Sequence, residues 1–169
     1  FCHKSLELLR HIGFDADIIH CHDWQTSLIP VILADRRSRG NMGKIPRTLL
    51  TIHNMAYQGV FPKDQMVETG LGWDYFSVSG FEFYDKINLL KAGILYADSV
   101  NTVSATYSRE VQTRDFGCGL EGVMTSRKDK FFGITNGVDY RVWNPQSDPF
   151  IFRNYGAGQM EGKEANRKA

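Results

Sequence analysis

The sequence has few cysteines, and it contains no CxxC pair. Its three cysteines, Cys2, Cys21 and Cys118, are an odd number in 169 residues. Small secreted domains use an even number of conserved cysteines as a disulfide framework. The pattern here is typical of a reduced, intracellular protein without disulfides.

The sequence also lacks an excess of one charge and a long hydrophobic run. Its 20 Lys and Arg residues nearly balance 19 Asp and Glu residues, for a net charge of +1. This balance argues against wholesale binding to nucleic acid or to a membrane surface. The longest apolar run, residues 28–34, is interrupted by Pro30 and is far shorter than the ~20 residues that span a bilayer. No transmembrane helix is predicted.

What the sequence does contain is enough apolar surface for one ordinary domain. It is 42% hydrophobic and 12% aromatic, so a core can form, and this composition argues against intrinsic disorder. The first residue is Phe1 rather than Met, within a predicted helix, and residues 161–169 resemble the opening of another helix. We therefore expect the chain to be a fragment of a longer protein, with any targeting segment outside it.

Hydrophobic patterning predicts strands that alternate with helices. Such alternation predicts βαβ units, parallel strands and right-handed crossovers. The continuous apolar strands are typical of a sheet buried on both faces, so we predict a doubly wound, Rossmann-like α/β fold with helices on both faces. The irregular stretch 53–84 is long enough to indicate a functional loop. Predicted helices cover residues 4–12, 24–39, 85–97, 104–116 and 120–128, and predicted strands cover 17–21, 48–52, 99–103 and 131–135.

Polar side chains follow all four predicted strands. In open parallel sheets, ligands bind beyond the carboxyl ends of the strands. We therefore predict one polar cleft, and its acceptors, amides, imidazoles and aromatic rings suit a hydroxyl-rich ligand such as a sugar. These segments are 20–24, 53–59, 102–104 and 136–139.

Each candidate also has a purely structural explanation. Asp23 could cap the following helix, and His53 could bond a backbone carbonyl at a strand end. Asn136 and Gly137 could form an ordinary turn that needs a positive φ. Lys91, on a helix predicted to be buried, is expected to extend its amine to the surface. The aromatic residues of 73–84 are expected to pack in the core.

Two short motifs do not predict a binding site. Residues 117–122 match GxGxxG, but they follow a helix rather than a strand, and no acidic residue lies about 20 positions on, so a dinucleotide site is not predicted. His20 and His22 could begin a metal site, but no later His or Cys pair completes the ligand set. No metal site is predicted.

Several sequence blocks together resemble the bacterial glycogen synthases and plant starch synthases that use ADP-glucose. The blocks occur in family order and with family spacing across about residues 17–145. Each block alone occurs too widely to identify this family, whereas the whole set in this order is specific for it. The blocks are HDWQ at 22–25, TIHNMAYQG at 51–59, LKAGI at 90–94, Asp98 with TVS at 102–104, GLEG at 119–122, NGVD at 136–139 and WNP at 143–145.

The resemblance implies a GT-B glycosyltransferase, in which two Rossmann-like domains face each other across a cleft. Residues 1–145 would be the second half of the N-terminal domain, and 146–169 the linker and the start of the second domain. The family transfers glucose from ADP-glucose to the non-reducing end of an α-1,4-glucan, with retention of configuration and with no metal or other cofactor. The implied partners are ADP-glucose, the glucan and the rest of the same chain, with no nucleic acid or membrane.

The resemblance also implies roles for individual residues. His53 and Asp23 would be catalytic, with His53 contacting the transferred glucose. The implied substrate-binding residues, which would bind sugar hydroxyls or line or shape the cleft, are Asn136, Asn54, Tyr57 and Gln58.

The same resemblance leaves parts of the active site outside this chain. A Lys-Thr-Gly-Gly loop is expected before Phe1, and the basic pair that binds the diphosphate is expected after Ala169, so we expect the isolated chain to be inactive. Two alternatives stay open: another GT-B transferase with a different nucleotide sugar, or a non-catalytic glucan-binding relative. The expected location is the bacterial cytoplasm, or the plastid for a plant or algal source.

Overall fold

The computed structural model describes residues 1–40 and 43–169. The chain divides into two compact units, Phe1–Thr135 and Asn136–Ala169. The predicted domain boundary at 145 is not tested by this division into units and stays a prediction. The elements of the first unit are α1 (Cys2–His11), β1 (Ile18–His22), α2 (Asp23–Thr26), α3 (Leu28–Ser38), β2 (Arg47–Ile52), β3 (Val60–Pro62), β4 (Glu82–Phe83), β5 (Lys86–Asn88), α4 (Leu89–Tyr96), β6 (Ser99–Thr102), α5 (Ala105–Glu110), α6 (Glu121–Ser126) and β7 (Phe131–Gly133), with short 3-10 helices at Lys63–Thr69, Trp73–Tyr75 and Lys128–Lys130.

The main sheet has four parallel strands in the order β1-β2-β6-β7. Cys21, Leu50 and Val100 lie side by side in register on one face of this sheet. These residues form one buried core with apolar residues of α1, α3, α4 and α6. The strand order advances in one direction, and right-handed crossovers therefore place the connecting helices on the same face. The parallel α/β class is confirmed.

The opposite face of the sheet is more open within the first unit. Ile18 is 63% exposed and Phe132 is 54% exposed, and His20 is exposed on the same side of β1. Thr51 and Asn101 lie near the middle of this face and are buried. Helices on this second face stay a prediction.

A second, three-stranded antiparallel sheet lies within the segment predicted to be irregular. Its strand order is β3-β5-β4, and it begins before the predicted helix 85–97. The prediction was wrong at residues 86–88, because Tyr84 and Asp85 form a two-residue turn with φ of 50° and 60°. Turns of this kind usually contain Asn-Gly or Asp-Gly, so Tyr-Asp gave no hairpin signal.

Two predicted helices differ strongly from their predicted bounds. The predicted helix 24–39 is divided at Ser27 into α2 and α3. Pro30 lacks an N–H and cannot bond to the carbonyl of Thr26, which explains the break. The predicted helix 104–116 ends at Glu110, and the Ser104 hydroxyl caps its start by accepting bonds from two backbone N–H groups of α5.

The prediction for Lys91 was wrong. Its side chain does not extend to the surface, since the residue is only 5% exposed. The ammonium group donates hydrogen bonds to the carbonyl oxygens of Val78, Gly80 and Glu82, at 2.6, 3.0 and 2.7 Å. Burial lowers the pKa of Lys91. The three bonds offset much of the cost of desolvating the amine and hold the loop before β4 in place.

The second unit contains one regular helix, α7 (Glu161–Lys168), which confirms the predicted helical opening near residue 161. Gly156 and Gln159 form an isolated antiparallel bridge in the same unit. Gly137 does not adopt a positive φ, so the turn explanation for Asn136 and Gly137 was wrong. Within residues 1–40 and 43–169, no helix has the length and hydropathy that a membrane span requires.

Candidate functional site

The carboxyl ends of β1 and β2 are neighbours, and they bring two predicted site residues together. The register pairs His22 with Thr51, so the residues that follow each strand emerge side by side. One carboxylate oxygen of Asp23, Oδ1, accepts a hydrogen bond from the backbone N–H of His53 at 2.7 Å. The predicted meeting of these two residues at one edge of the sheet is thus observed directly.

Asp23 has an unusual backbone conformation. Its φ is +53°, in the left-handed region that residues other than glycine seldom adopt. No side-chain cap is present at the start of α2, where Asp23 is the first residue. The capping explanation for Asp23 was therefore wrong, because the carboxylate bonds across to the next strand. Strained residues of this kind cluster at functional sites.

His53 belongs to a row of three imidazole rings. Its Nε2 lies 3.1 Å from Nδ1 of His22, and the two ring centroids are 5.3 Å apart. The ring of His22 in turn lies 4.2 Å from that of His20. The partner of the His53 ring is therefore another imidazole, so the expected bond to a backbone carbonyl was wrong. Burial, followed by the charges of His22 and His53, lowers the pKa of His20.

The loop after β2 is fixed by side chains from distant parts of the first unit. The backbone N–H of Met55 donates to the Tyr107 hydroxyl of α5 at 3.0 Å. Asn54 is exposed, and its Oδ1 accepts from the N–H of Ala56 at 3.0 Å. The two bonds hold the backbone that follows His53 in one conformation.

Gln58 is buried and bonded within the protein. Its amide nitrogen donates to the carbonyls of Met55 and Cys118, at 3.1 and 3.0 Å. Its amide oxygen accepts from Asn88 at 2.6 Å, and Asn88 caps α4. This position allows Gln58 to shape the loop. A direct contact of Gln58 with substrate stays a prediction.

An open groove of about 500 Å³ lies beside this loop. Gly59 has a φ of +63°, and a Cβ added there would lie 2.5 Å from the indole of Trp24. Only glycine therefore allows the loop to pack this closely on Trp24. Tyr57, which is 67% exposed, contributes its ring to the groove. The residues lining the groove are Trp24, Ala56, Tyr57, Gln58, Gly59, Val60, Phe61 and Cys118.

The fourth predicted strand tip contributes Asn136, which is the first residue of the second unit. Its meeting with Asp23 and His53 stays a prediction. Within the part of the chain that the structure describes, no group of three or more His, Cys, Asp or Glu residues is arranged to hold a metal ion.

Sequence reasoning missed two residues that support the site. Tyr107 and Asn88 were not singled out, because each acts on a loop far away in the sequence. The sequence feature that could have indicated Tyr107 is a polar group on the inner side of a short helix. The feature that could have indicated Asn88 is a polar residue directly before an apolar helix. Neither feature identifies its partner.

Comparison with known proteins adds independent information about this geometry. Residues 1–126 match the family model for the starch synthase catalytic domain. The chain belongs to this family. The Asp23–His53 pair and its loop lie within the matched residues.

Two glycogen synthases align with all or nearly all of this chain and are 42% and 48% identical to it in sequence. The glycogen synthase of Geotalea daltonii is 48% identical over 100% of this chain, which corresponds to 35% of that protein. The glycogen synthase of Thermodesulfovibrio yellowstonii is 42% identical over 99% of this chain and 34% of its own length. The chain therefore spans about a third of the length of these relatives.

A solved structure agrees with the family assignment. The catalytic domain of starch synthase IV from Arabidopsis thaliana, bound to ADP and acarbose, superposes with a TM-score of 0.79 and 35% sequence identity. The match covers 98% of this chain and 34% of the Arabidopsis chain. The first unit therefore shares its fold with part of a starch synthase catalytic domain.

Proposed function

We propose that this chain forms part of a glucosyltransferase that moves glucose from ADP-glucose to the non-reducing end of an α-1,4-glucan, with retention of configuration. Membership of the starch synthase catalytic domain family supports the reaction class. The Arabidopsis relative is bound to ADP and acarbose, which supports an ADP-linked donor and a glucan-like acceptor. The observation that carries the proposal is the hydrogen bond of 2.7 Å between Asp23 and the backbone of His53.

His53 would act on the transferred sugar. The bond from Asp23 fixes the backbone of His53 at the tip of β2, while its imidazole stays exposed to the space beyond the sheet. Positive charge develops at the anomeric carbon as ADP leaves. Hydrogen-bonding groups that are already oriented toward such a charge lower the barrier without reorganising during the reaction.

Asp23 would add a negative charge beside the same centre. Its carboxylate is held by one backbone hydrogen bond and by the left-handed conformation of its residue. Asn54, Tyr57 and Asn136 would bind sugar hydroxyls or line the cleft, and Gln58 would shape the loop. The family resemblance further supports a reaction without a metal or organic cofactor, because ADP-glucose is a substrate. It also supports a bacterial cytoplasmic or a plastid location.

The test is His53→Ala in the full-length enzyme that contains this segment. We expect turnover with ADP-glucose and glycogen to fall about 10²–10³-fold, as when a single transition-state contact is removed. The unfolding temperature should change little, because the ring is exposed. ADP release and incorporation of labelled glucose into glycogen measure the loss.

His11→Ala is the matched control. His11 is also exposed, but it is the last residue of α1 and lies outside the site. This variant should retain wild-type turnover. Equal activity of the His53→Ala and His11→Ala enzymes would refute the proposed role of His53.

A further inference from the structure

A hydrogen-bonded support lies behind His53, and it begins deep in the sheet. Asn101 of β6 and Thr51 of β2 are both buried, at 7% and 4% exposure. The Thr51 hydroxyl donates to Oδ1 of Asn101 at 2.6 Å. Because that hydroxyl has a single proton, its oxygen accepts the bond from Nε2 of His20, also at 2.6 Å. His20 therefore has its proton on Nε2.

His22 connects this fixed group to His53, at the start of the loop after β2. Its ring lies against that of His20, with centroids 4.2 Å apart. Its backbone is fixed as well, because the Thr26 hydroxyl accepts from the His22 N–H at 2.6 Å and donates to the His22 carbonyl at 2.8 Å. Nδ1 of His22 is then 3.1 Å from Nε2 of His53.

We propose that His22 is a positioning residue that holds the imidazole of His53 in the orientation needed for glucosyl transfer. This inference rests on the proposed function. The hydrogen bond between Nδ1 of His22 and Nε2 of His53 needs a donor on one ring and an acceptor on the other, so it fixes how the two rings face each other. His22 thereby determines the orientation of the ring that meets the sugar.

A purely structural role for His22 would make its replacement lower the stability of the protein, whereas a positioning role would lower the rate of the reaction. The His22 side chain is exposed, and its ring adds little to the buried core, so removing it should cost little stability. Its replacement should instead affect the chemical step, because small errors in the position of a catalytic group reduce the rate strongly.

The test compares His22→Phe with His22→Asn in the full-length enzyme. Phe keeps a planar ring but cannot bond to His53, whereas the Asn side chain can present an amide group near the position of Nδ1. For His22→Phe we expect kcat to fall about tenfold or more, with KM for ADP-glucose changed less than about twofold. His22→Asn should recover most of kcat, and both variants should unfold near the wild-type temperature.

His11→Phe is the control for adding an exposed phenyl ring and should behave as wild type. Wild-type kcat in His22→Phe would overturn the inference, and so would equal losses in the Phe and Asn variants. A loss accompanied by a clearly lower unfolding temperature in both variants would assign His22 a structural role instead.

His53→Ala, measured in parallel, separates this inference from the proposed function. If His53→Ala loses activity while His22→Phe does not, only the positioning role fails. If His53→Ala is fully active, the proposed function of His53 fails first.

Discussion

The two ends of the parallel sheet each place an aspartate against the neighbouring strand, and the two aspartates differ in their partners. At the amino ends, Asp98 precedes β6 and accepts bonds from Arg37, from Arg47 and from the backbone N–H and hydroxyl of Thr48, at 2.7–3.1 Å. At the carboxyl ends, Asp23 follows β1 and accepts the bond from the His53 backbone.

The difference shows how one type of residue serves two purposes in this fold. Asp98 has two arginine partners and a side chain that is 20% exposed, which together make it part of the framework. Asp23 adopts a strained backbone conformation, and its carboxylate bonds to the backbone of His53, whose ring belongs to the row of three imidazoles. A saturated ion network indicates stability, whereas a strained backbone at the carboxyl edge of a parallel sheet indicates function.

The largest stability effect is expected at the amino end. Asp98→Asn removes the charge that balances Arg37 and Arg47, and it places an amide where two cations donate. We expect a loss of about 2–3 kcal/mol in the free energy of unfolding, as when a mostly buried ion pair is broken. Urea unfolding of the full-length enzyme measures this loss. The folded variant should keep its turnover, and a selective fall in kcat with normal stability would contradict the framework role of Asp98.

The matched substitution at the carboxyl end should show the reverse pattern. Asp23→Asn keeps an acceptor for the His53 N–H, and asparagine tolerates the left-handed conformation, so stability should change by less than about 1 kcal/mol. Turnover should fall about tenfold to a hundredfold, because the negative charge beside the sugar is lost. Kinetics and urea unfolding on the same preparations test both statements. A variant that loses stability but retains turnover would reverse the comparison.

The smallest expected effect is the response of the amino end to acid. Burial alone would raise the pKa of Asp98, but the bonds from Arg47 and Thr48 and the charge of Arg37 outweigh it and lower the pKa from 3.8 to about 2. A lowered folded-state pKa stabilises the protein above the unfolded-state value, and that stabilisation disappears as the pH falls through the folded-state value. We therefore expect the stability difference between wild type and Asp98→Asn to be constant above about pH 5 and to shrink between about pH 4 and pH 2.

The control for this pH dependence is Asp23→Asn, measured by urea unfolding over the same pH series. A stability difference between wild type and Asp98→Asn that does not change down to about pH 2 would contradict the assigned cause.

The parallel sheet and the Asp23–His53 meeting were predictable from sequence because they rest on general rules. Apolar runs separated by helical segments give parallel strands, and consecutive strands of this kind lie next to each other with their polar tips at one edge. The residues after β1 and β2 therefore had to emerge close together. The hydrogen bond between Asp23 and the His53 backbone is one consequence of that topology.

Other features depend on contacts that local sequence does not specify. The hairpin between β4 and β5 turns at Tyr84 and Asp85, whose left-handed conformation is stabilised by the surrounding fold rather than by their own preference. The burial of Lys91 depends on three carbonyl oxygens of residues 78–82 meeting its amine. No periodicity in the sequence indicates where such carbonyls will point.

The most direct test of the sugar site is a crystal structure of the full-length enzyme with ADP and a glucosyl ligand bound. We predict that a hydroxyl of the glucosyl group lies within about 3 Å of the His53 imidazole, with Asp23 beside it. The same structure would show where Asn136 lies relative to this pair. A glucosyl group bound away from both His53 and Asp23 would contradict the proposed site.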